Sequence, residues 1–291
     1  MNFNKHLLIS SSKIKSALKL LSSVGLDTTL FAVNKNNKLI GSISDGDIRR
    51  GLLRGISLDD PITEIINKKP KFIRKGNYSI GEIKKLRKNN YKLVPVIDND
   101  DVIVNVISFR SISSYLPIDV VIMAGGLGSR LKPLTDKIPK PLLKIGDKSI
   151  IDHNIDRLIS FGIDDFWISI GYLANKIKNH LGNGKNRNIK IDYVIEKNPL
   201  GTIGAVSKIN NFKHDYILVT NSDILTNLNY ENFFVDFIKK DADMSVVTIP
   251  YDVEIPYAVM ETKDDDVLSF IEKPTYTYYS NGGIYLIKKI F

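Results

Sequence analysis

The stretch VVIMAGGLGSRLKPLTDKIPKPLL, residues 120–143, decides how this chain is expected to fold. It opens on an unbroken apolar run, which is typical of a buried parallel strand. The strand leads into Gly125, Gly126 and Gly128, and glycines at this spacing let backbone N–H groups approach an anion closely. Leu131 stands where a dinucleotide-binding loop needs its third glycine, and the Walker pattern is absent. The loop is therefore predicted to hold phosphate in another setting.

Two cations follow the glycines on a stiff loop. Arg130 comes directly after the glycine loop, and Lys140 lies between Pro139 and Pro141. Because proline fixes its own φ, the two prolines limit where the lysine side chain can point. A rigid basic loop after a buried strand suits a polyphosphate.

From Ala124 to Leu142 the chain resembles the opening motif of the sugar-1-phosphate nucleotidyltransferases, the nucleoside-diphosphate-sugar pyrophosphorylases. Strands and helices alternate further along, at 151–161, 165–170, 171–181 and 189–195, which favours a doubly wound α/β sheet with its site at the carboxyl ends of the strands. The resemblance implies a Rossmann-like, GT-A-like domain over residues 116–291. It also implies that a nucleoside triphosphate and a sugar 1-phosphate are joined into a nucleotide sugar with release of pyrophosphate, with Mg²⁺ as cofactor.

Later segments match the same family in order: LGTIG (200–204), NSD (221–223), PYAVM (256–260), EKP (272–274) and NGGIY (281–285). The resemblance implies that the nucleotide is bound by Ala124, Gly125, Gly126, Gly128, Ser129, Glu196, Gly201 and Thr202. It implies catalysis by Arg130, Lys140, Asp223 and Lys273, with Asp223 as the metal ligand, and sugar binding by Tyr257, Glu272, Asn281 and Gly282. Structural alternatives are that Gly201 and Thr202 start a helix at Ala205, and that Asp223 caps a helix.

The base and sugar are less sharply indicated. Glu196 can accept hydrogen bonds from a guanine edge, so GTP is favoured, with uridylyl and thymidylyl transfer as alternatives. The form of the LGTIG segment is most similar to guanylyltransferases that act on mannose, heptose or amino-sugar 1-phosphates in bacterial surface and flagellin glycan pathways.

Some positions depart from the family. Ala258 replaces the usual glycine, and Lys288 stands where many relatives have an aspartate that serves as second metal ligand. The family usually continues well past the position of Phe291, so a C-terminal truncation is expected. Lys288 and the expected truncation favour a rival interpretation, a regulatory protein that binds nucleotides or nucleotide sugars without turnover.

An internal repeat precedes this domain. Residues 30–48 align without a gap with residues 94–112, each an apolar strand, a polar turn and a second strand ending in Ile-Ser. Each copy is predicted to run strand, helix, strand, turn, strand, helix, and the two copies are expected to pack together because neither buries its apolar faces alone. Residues 111–117 are expected to be a short linker.

The repeat, and especially the segment GSISDGDI at 41–48, resembles a tandem pair of CBS domains, with copies over 1–58 and 59–115. That resemblance implies an α+β pair able to bind an adenine nucleotide, with Asp47 on the ribose, and a homodimer formed through the pair. Ser111 stands at the matching place in the second copy. The structural alternative is that Asp47 caps the helix that follows.

Composition excludes other classes. The chain has 291 residues, a formal net charge of +9 and no cysteine, which excludes disulfides, thiolate metal sites and a cysteine nucleophile. No apolar run is long enough to span a membrane, and the N-terminus lacks the pattern of a secretory signal, so a cytoplasmic protein without membrane partners is expected. The basic balance alone supports an RNA-binding rival, but no basic stripe is interleaved with aromatic residues, so no nucleic-acid partner is expected.

Overall fold

The computed structural model describes residues 3–196, 201 and 203–289. We name residues 3–115 the repeat module and residues 116–289 the C-terminal domain. The elements of the repeat module are, in chain order, β1 (Leu7–Ile9), α1 (Ile14–Ser23), β2 (Thr29–Val33), β3 (Leu39–Ser44), α2 (Asp45–Leu53), β4 (Ile73–Arg74), α3 (Ile80–Lys88), β5 (Leu93–Ile97) and β6 (Ile103–Ser108).

The elements of the C-terminal domain are β7 (Asp119–Met123), β8 (Lys144–Ile145), β9 (Lys148–Ser149), α4 (Ile150–Ile159), β10 (Asp165–Ile170), α5 (Ala174–Leu181), β11 (Lys190–Ile195), β12 (Tyr216–Asn221), α6 (Tyr230–Lys239), β13 (Met244–Glu254), β14 (Val259–Lys263), β15 (Asp266–Ile271) and β16 (Thr275–Lys288). Within the described residues, no helix is both long and apolar enough to traverse a lipid bilayer.

The two halves of the repeat module fold alike. One sheet has the order β1-β2-β3 and the other β4-β5-β6, and in each the first pair is parallel and the second antiparallel. Each antiparallel pair carries a register shift at the same position of the repeat, between Ala32 and Val33 and between Val96 and Ile97. The aligned sequences thus produce matching structure down to a local irregularity.

The two hairpins of the module exchange hydrogen bonds. The Leu39 N–H donates to the Asp101 carbonyl at 2.9 Å, and the Ile103 N–H donates to the Asn37 carbonyl at 3.1 Å. Since Asn37 aligns with Asp101 and Leu39 with Ile103, the exchange has the symmetry of a pseudo-two-fold axis. Side chains from both copies share one core, formed by Phe31, Val33, Leu93, Ile97, Ile103 and Val106.

The sequence predicts a helix after β6, at the end of the second copy, and this prediction is wrong. Helix α2 begins with a capping box in which Ser44 and Asp47 satisfy each other's backbone N–H groups. The second copy has Ser108 and Ser111 at the matching places, and the Ser111 hydroxyl donates to the Ser108 carbonyl at 3.0 Å. Without the carboxylate the box cannot form, and residues 109–111 make only a turn.

The C-terminal domain is built on a six-stranded sheet in the order β11-β10-β7-β12-β16-β13. The first four strands are parallel, and β16 runs antiparallel to both of its neighbours. Alternate residues of β7 face opposite ways: Val120 and Ile122 pack with α4, α5 and α6, whereas Val121 packs with Ala205 and Phe212 on the other face.

The path of the chain creates a crevice in this sheet. From β7 the chain moves outward to β10 and β11 through α4 and α5, then returns across the opposite face to β12 on the other side of β7. The carboxyl ends of β7 and β12 therefore lie at the topological switch point, where open α/β sheets bind their ligands. The expected α/β nucleotidyltransferase architecture agrees with this arrangement.

The repeat module contacts the sheet at the amino-terminal end of β10, opposite the crevice. The Tyr115 hydroxyl donates to Asp164 at 3.0 Å, and the Lys75 ammonium lies 3.7 Å from Asp164 and 3.5 Å from Asp165, which opens β10. The Tyr78 and Tyr115 rings stack with their centroids 5.2 Å apart. The expected linker at 111–117 is likewise packed: Tyr115 and Leu116 are buried.

Candidate active site

A cavity of about 780 Å³ lies at the carboxyl ends of β7, β10, β11 and β12, a volume suited to a nucleotide. Most of the residues predicted to hold nucleotide and phosphate line it, namely Gly125, Gly126, Gly128, Ser129, Arg130, Lys140, Glu196, Gly201 and Asp223. Ala124 is buried beneath the loop, and Thr202 lies outside the described residues.

The glycine loop folds back on the chain that follows it. Gly128 has φ 64°, and a methyl group there would lie 3.0 Å from the Thr135 side chain and 3.2 Å from Cβ of Lys140. The Thr135 hydroxyl donates to the Gly128 carbonyl at 2.9 Å. The loop can therefore close on Lys140 only because position 128 lacks a side chain and tolerates the left-handed conformation.

The predicted cation and the predicted metal ligand contact each other directly. The Lys140 ammonium donates to Asp223, and both side chains remain about one-third exposed, at 32% and 31%. Asp223 follows β12, and the preceding residue, Ser222, donates its N–H to the Met123 carbonyl at 3.1 Å, which ties this turn to the end of β7. Arg130 lines the same cavity.

The carboxylate of Asp223 fits a Mg²⁺ site of the kind completed by substrate. Among the described residues, no cluster of three or more His, Cys, Asp or Glu side chains could hold a metal ion by itself. Mg²⁺ commonly keeps several waters and binds through one or two carboxylates together with substrate phosphates. A single, partly exposed carboxylate beside a phosphate-cradling loop meets that description.

Glu196 lies against the glycine loop from the β11 side. Its side chain accepts a hydrogen bond from the Ser169 hydroxyl, and its N–H donates to the Ile170 carbonyl at 2.9 Å. A methyl group on Gly125 would come within 3.2 Å of its Oε1. Glu196 is thus fixed beside the loop and presents a carboxylate to the cavity.

The four residues predicted to contact sugar, and Lys273, predicted to be catalytic, do not line this cavity. Tyr257, Glu272 and Lys273 are exposed, next to or within the hairpin formed by β14 and β15, and none of them lines the cavity. Asn281 lies on β16, where its amide donates to the Tyr285 hydroxyl at 2.5 Å.

Gly282 lies beside β13, since a methyl group there would come within 2.7 Å of the Val247 carbonyl. Its neighbour Gly283 adjoins the cavity wall, because a methyl group on Gly283 would come within 2.6 Å of the Asn221 amide. Asn221 itself lines the cavity.

Sequence reasoning missed one residue of the cavity wall with a defined role. Tyr172 lines the cavity, and its hydroxyl donates to the Asp136 carbonyl at 3.0 Å. The Lys176 ammonium donates to the next carbonyl, that of Lys137, at 2.5 Å. Together they hold the basic loop against α5. The sequence predicts a helix that opens at residues 171–173, but Leu173 has φ 49° and α5 begins at Ala174.

Asp47 takes part in a helix cap in the repeat module. Its Oδ2 accepts from the Ser44 N–H at 2.8 Å and from the Ser44 hydroxyl at 2.7 Å, and its Oδ1 accepts from Arg50 at 2.6 Å. It also lines a cavity of about 420 Å³ together with Arg50, Arg54 and Glu64.

Comparison with known proteins identifies a family for the C-terminal domain. The family model described as Nucleotidyl transferase matches residues 119–290. D-glycero-alpha-D-manno-heptose 1-phosphate guanylyltransferase of Aneurinibacillus thermoaerophilus is 31% identical over 173 residues, 59% of this chain and 75% of that protein. Mannose-1-phosphate guanylyltransferase of Mycobacterium tuberculosis is 28% identical over 177 residues, 59% of this chain and 49% of that protein.

Among solved structures, HddC from Yersinia pseudotuberculosis is 32% identical, with a TM-score of 0.46 and coverage of 58% of this chain and 76% of that chain. The chain spans three-quarters of the heptose enzyme's length and about half of the mannose enzyme's. Since the family model covers more than half of its residues, the chain belongs to the nucleotidyl transferase family.

Proposed function

We propose that this protein is a sugar-1-phosphate nucleotidyltransferase that joins a nucleoside triphosphate, with GTP favoured, and a sugar 1-phosphate into a nucleotide sugar and pyrophosphate. The observation that carries the proposal is the single cavity that collects the glycine loop, Arg130, Lys140, Glu196 and Asp223. The naming of relatives as heptose and mannose 1-phosphate guanylyltransferases supports both the reaction and the base.

In the proposed reaction a sugar phosphate oxygen attacks the α-phosphorus of the triphosphate. The new oxygen–phosphorus bond forms as the bond from the α-phosphorus to the bridging oxygen of pyrophosphate breaks. Such a transfer needs positioning and charge neutralisation more than a covalent protein group. The N–H groups of residues 125–128 cradle the triphosphate, and Arg130 and Lys140 offset the growing negative charge. Asp223 would hold Mg²⁺, which would supply positive charge against the phosphates.

The base is proposed to lie against the β11 side of the cavity. A carboxylate accepts hydrogen bonds but donates none when ionised, so Glu196 suits the donor edge of guanine. Gly201 also lines the cavity. Loss of GTP preference on Glu196→Gln would support this assignment, and unchanged preference would remove it.

The sugar 1-phosphate is proposed to be held by Lys273, with Tyr257, Glu272, Asn281 and Gly282 contacting the sugar. The support is the order and spacing of the EKP and NGGIY motifs, and the position of Gly283 beside the cavity-lining Asn221. For the exposed hairpin residues this requires the hairpin to approach the cavity when substrate binds.

The repeat module is proposed to be a CBS-type pair that binds an adenine nucleotide at the cavity beside Asp47 and contributes to a homodimer. Arg50 and Arg54 supply positive charge there for phosphates. A ribose hydroxyl would have to take Oδ1 of Asp47 from Arg50, the exposed partner of that ion pair. A non-catalytic regulatory protein remains the second candidate, favoured by Lys288 at the place of a second metal ligand.

The test is pyrophosphate release, with Mg²⁺, from four nucleoside triphosphates against glucose, mannose, glucosamine and N-acetylglucosamine 1-phosphates. A signal that depends on both substrates identifies the enzyme and its base. Tight nucleotide binding with no release from any pair would instead establish the regulatory candidate.

A further inference from the structure

The loop that carries Asp223 is held from behind by a buried side chain of α4. The Asn154 amide donates to the Ser222 carbonyl at 2.9 Å, across 68 positions of sequence. The Ser222 N–H donates to the Met123 carbonyl at 3.1 Å. Ser222 is therefore fixed through both its N–H and its carbonyl, and the next residue is Asp223.

The identity of residue 154 is not explained by the core of the helix. Asn154 is only 8% exposed. It lies in the same helix as Ile151, Ile155 and Leu158, which pack in the main hydrophobic core. An amide removed from water costs free energy unless it is hydrogen-bonded. An apolar residue could fill the same space, so packing does not explain the amide, whereas its hydrogen bond to the Ser222 carbonyl does.

The far end of the same loop is anchored by the same helix. One turn after Asn154, the Arg157 guanidinium donates to the carbonyls of Asn227 and Leu228 at 2.9 and 2.8 Å. Side chains three residues apart share one face of a helix. One face of α4 thus reaches both ends of the connection from β12 to α6, with Asn154 at the end that bears the carboxylate.

We propose that Asn154 is a positioning residue that sets the place of the Asp223 carboxylate for its metal and phosphate partners. The inference rests on the proposed function, because it assigns Asn154 to the same site. Removing the donor leaves the Ser222 carbonyl without its partner and releases the turn on one side, whereas the cavity residues themselves are unchanged. Partners behind a metal ligand typically alter metal affinity or activity by about 10- to 100-fold.

The experiment compares Asn154→Leu and Asn154→Asp with the wild-type protein. Pyrophosphate release is measured as a function of Mg²⁺, and binding of Mn²⁺ in the presence of GTP is followed by electron paramagnetic resonance. For Asn154→Leu we expect the half-saturating Mg²⁺ and the Mn²⁺ dissociation constant to rise about tenfold, with the KM for sugar 1-phosphate unchanged.

Asn154→Asp supplies a readout that loss of packing would not move. An ionised carboxylate facing the Ser222 carbonyl cannot donate, but a protonated one can. The activity of this variant relative to wild type is therefore expected to recover as pH falls.

Asn229→Ala is the matched control. The Asn229 side chain caps α6 at the other end of the loop by accepting from the Asn232 N–H at 3.0 Å. Its loss should lower the melting temperature without changing the Mg²⁺ dependence. Wild-type activity with unchanged Mg²⁺ and Mn²⁺ dependence in both Asn154 variants overturns the inference, whereas an inactive wild-type protein counts against the proposed function instead.

Discussion

Lys140 and Asp223 lie 83 positions apart in the sequence and form an ion pair in the wall of one cavity. The pair joins the two chemically distinct parts of the site, the basic loop after β7 and the turn after β12. Each side chain is only partly exposed, so each orients the other in the absence of substrate. When the triphosphate binds, we expect its negative charge to attract Lys140 away from Asp223, which leaves Asp223 to bind a metal ion.

Lys140→Met tests the role of the cation. The variant keeps most of the apolar stem but cannot neutralise charge that develops on the transferred phosphate. We expect kcat/KM for pyrophosphate release to fall on the order of 100-fold, as for loss of one preorganised electrostatic group.

Lys144→Met, on the exposed strand β8, is the control and should stay within about twofold of wild type, as expected for a surface substitution. If Lys140→Met were as active as this control, Lys140 would have no catalytic part.

Gly128→Ala tests the closed glycine loop. The new methyl group would meet Thr135 and Lys140 at 3.0 and 3.2 Å, and the backbone is left-handed at φ 64°. We expect a loss of roughly 1–2 kcal/mol in the free energy of unfolding together with a large loss of activity.

Gly76→Ala carries the same backbone penalty, at φ 75°, with no atom within 4 Å of the added methyl group. It should lose comparable stability in denaturant titration while keeping activity. Equal activity in the two variants would show that the loop conformation does not matter to the reaction.

Several features of this site could be predicted from sequence because they are local. The apolar run before Gly125 indicates β7, and the strand predicted at 165–170 is found as β10 with the same bounds. The contacts across the sheet could not be predicted. No periodicity in α4 indicates that Asn154 contacts Ser222. No local pattern around Lys140 indicates that it contacts Asp223. The failed helix after β6 is a similar case, since one missing carboxylate at position 111 overrides an aligned repeat.

Asp47→Ala, compared with Ser44→Ala, tests whether Asp47 only caps α2 or also binds a nucleotide. We expect the variant to lose about 1 kcal/mol of stability because the capping box of α2 is broken. Ser44→Ala breaks the same box but keeps the carboxylate.

If the module binds an adenine nucleotide through Asp47, calorimetric titration with AMP should show weakened binding in Asp47→Ala alone. Equal AMP affinity in both variants and wild type would leave Asp47 a purely structural residue.

Asp119→Asn tests the buried carboxylate at the start of β7. Burial raises the pKa of Asp119 from 3.8 to about 6, aided by Asp165 and opposed by the N–H groups of His214 and Lys213. Between pH 4 and 6 the folded protein therefore keeps a proton at Asp119 that the unfolded chain has released. This residue lowers stability as pH rises through that window.

The amide of Asn cannot ionise and still accepts both N–H bonds. The free energy of unfolding of Asp119→Asn, relative to wild type, should therefore increase from pH 4 to 7 by on the order of 1–3 kcal/mol. Burial lowers the pKa of the adjacent His214 to about 4, so this histidine raises stability as pH rises. The effect is present in both proteins. The difference between their unfolding curves therefore isolates Asp119. Asp100→Asn, on an exposed turn, should show no such gain, and a flat difference for Asp119→Asn would contradict the assignment.

Pyrophosphate release from GTP and a sugar 1-phosphate by Asp223→Asn, with Asp215→Asn as control, tests whether the cavity at the carboxyl ends of the strands is the catalytic site. Asp215 precedes the same strand, β12, at its other end and is exposed. We expect Asp223→Asn to lose pyrophosphate release by at least about 100-fold while still binding GTP, and Asp215→Asn to release pyrophosphate like wild type. Full activity in Asp223→Asn would show that the cavity at the carboxyl ends of the strands is not the catalytic site.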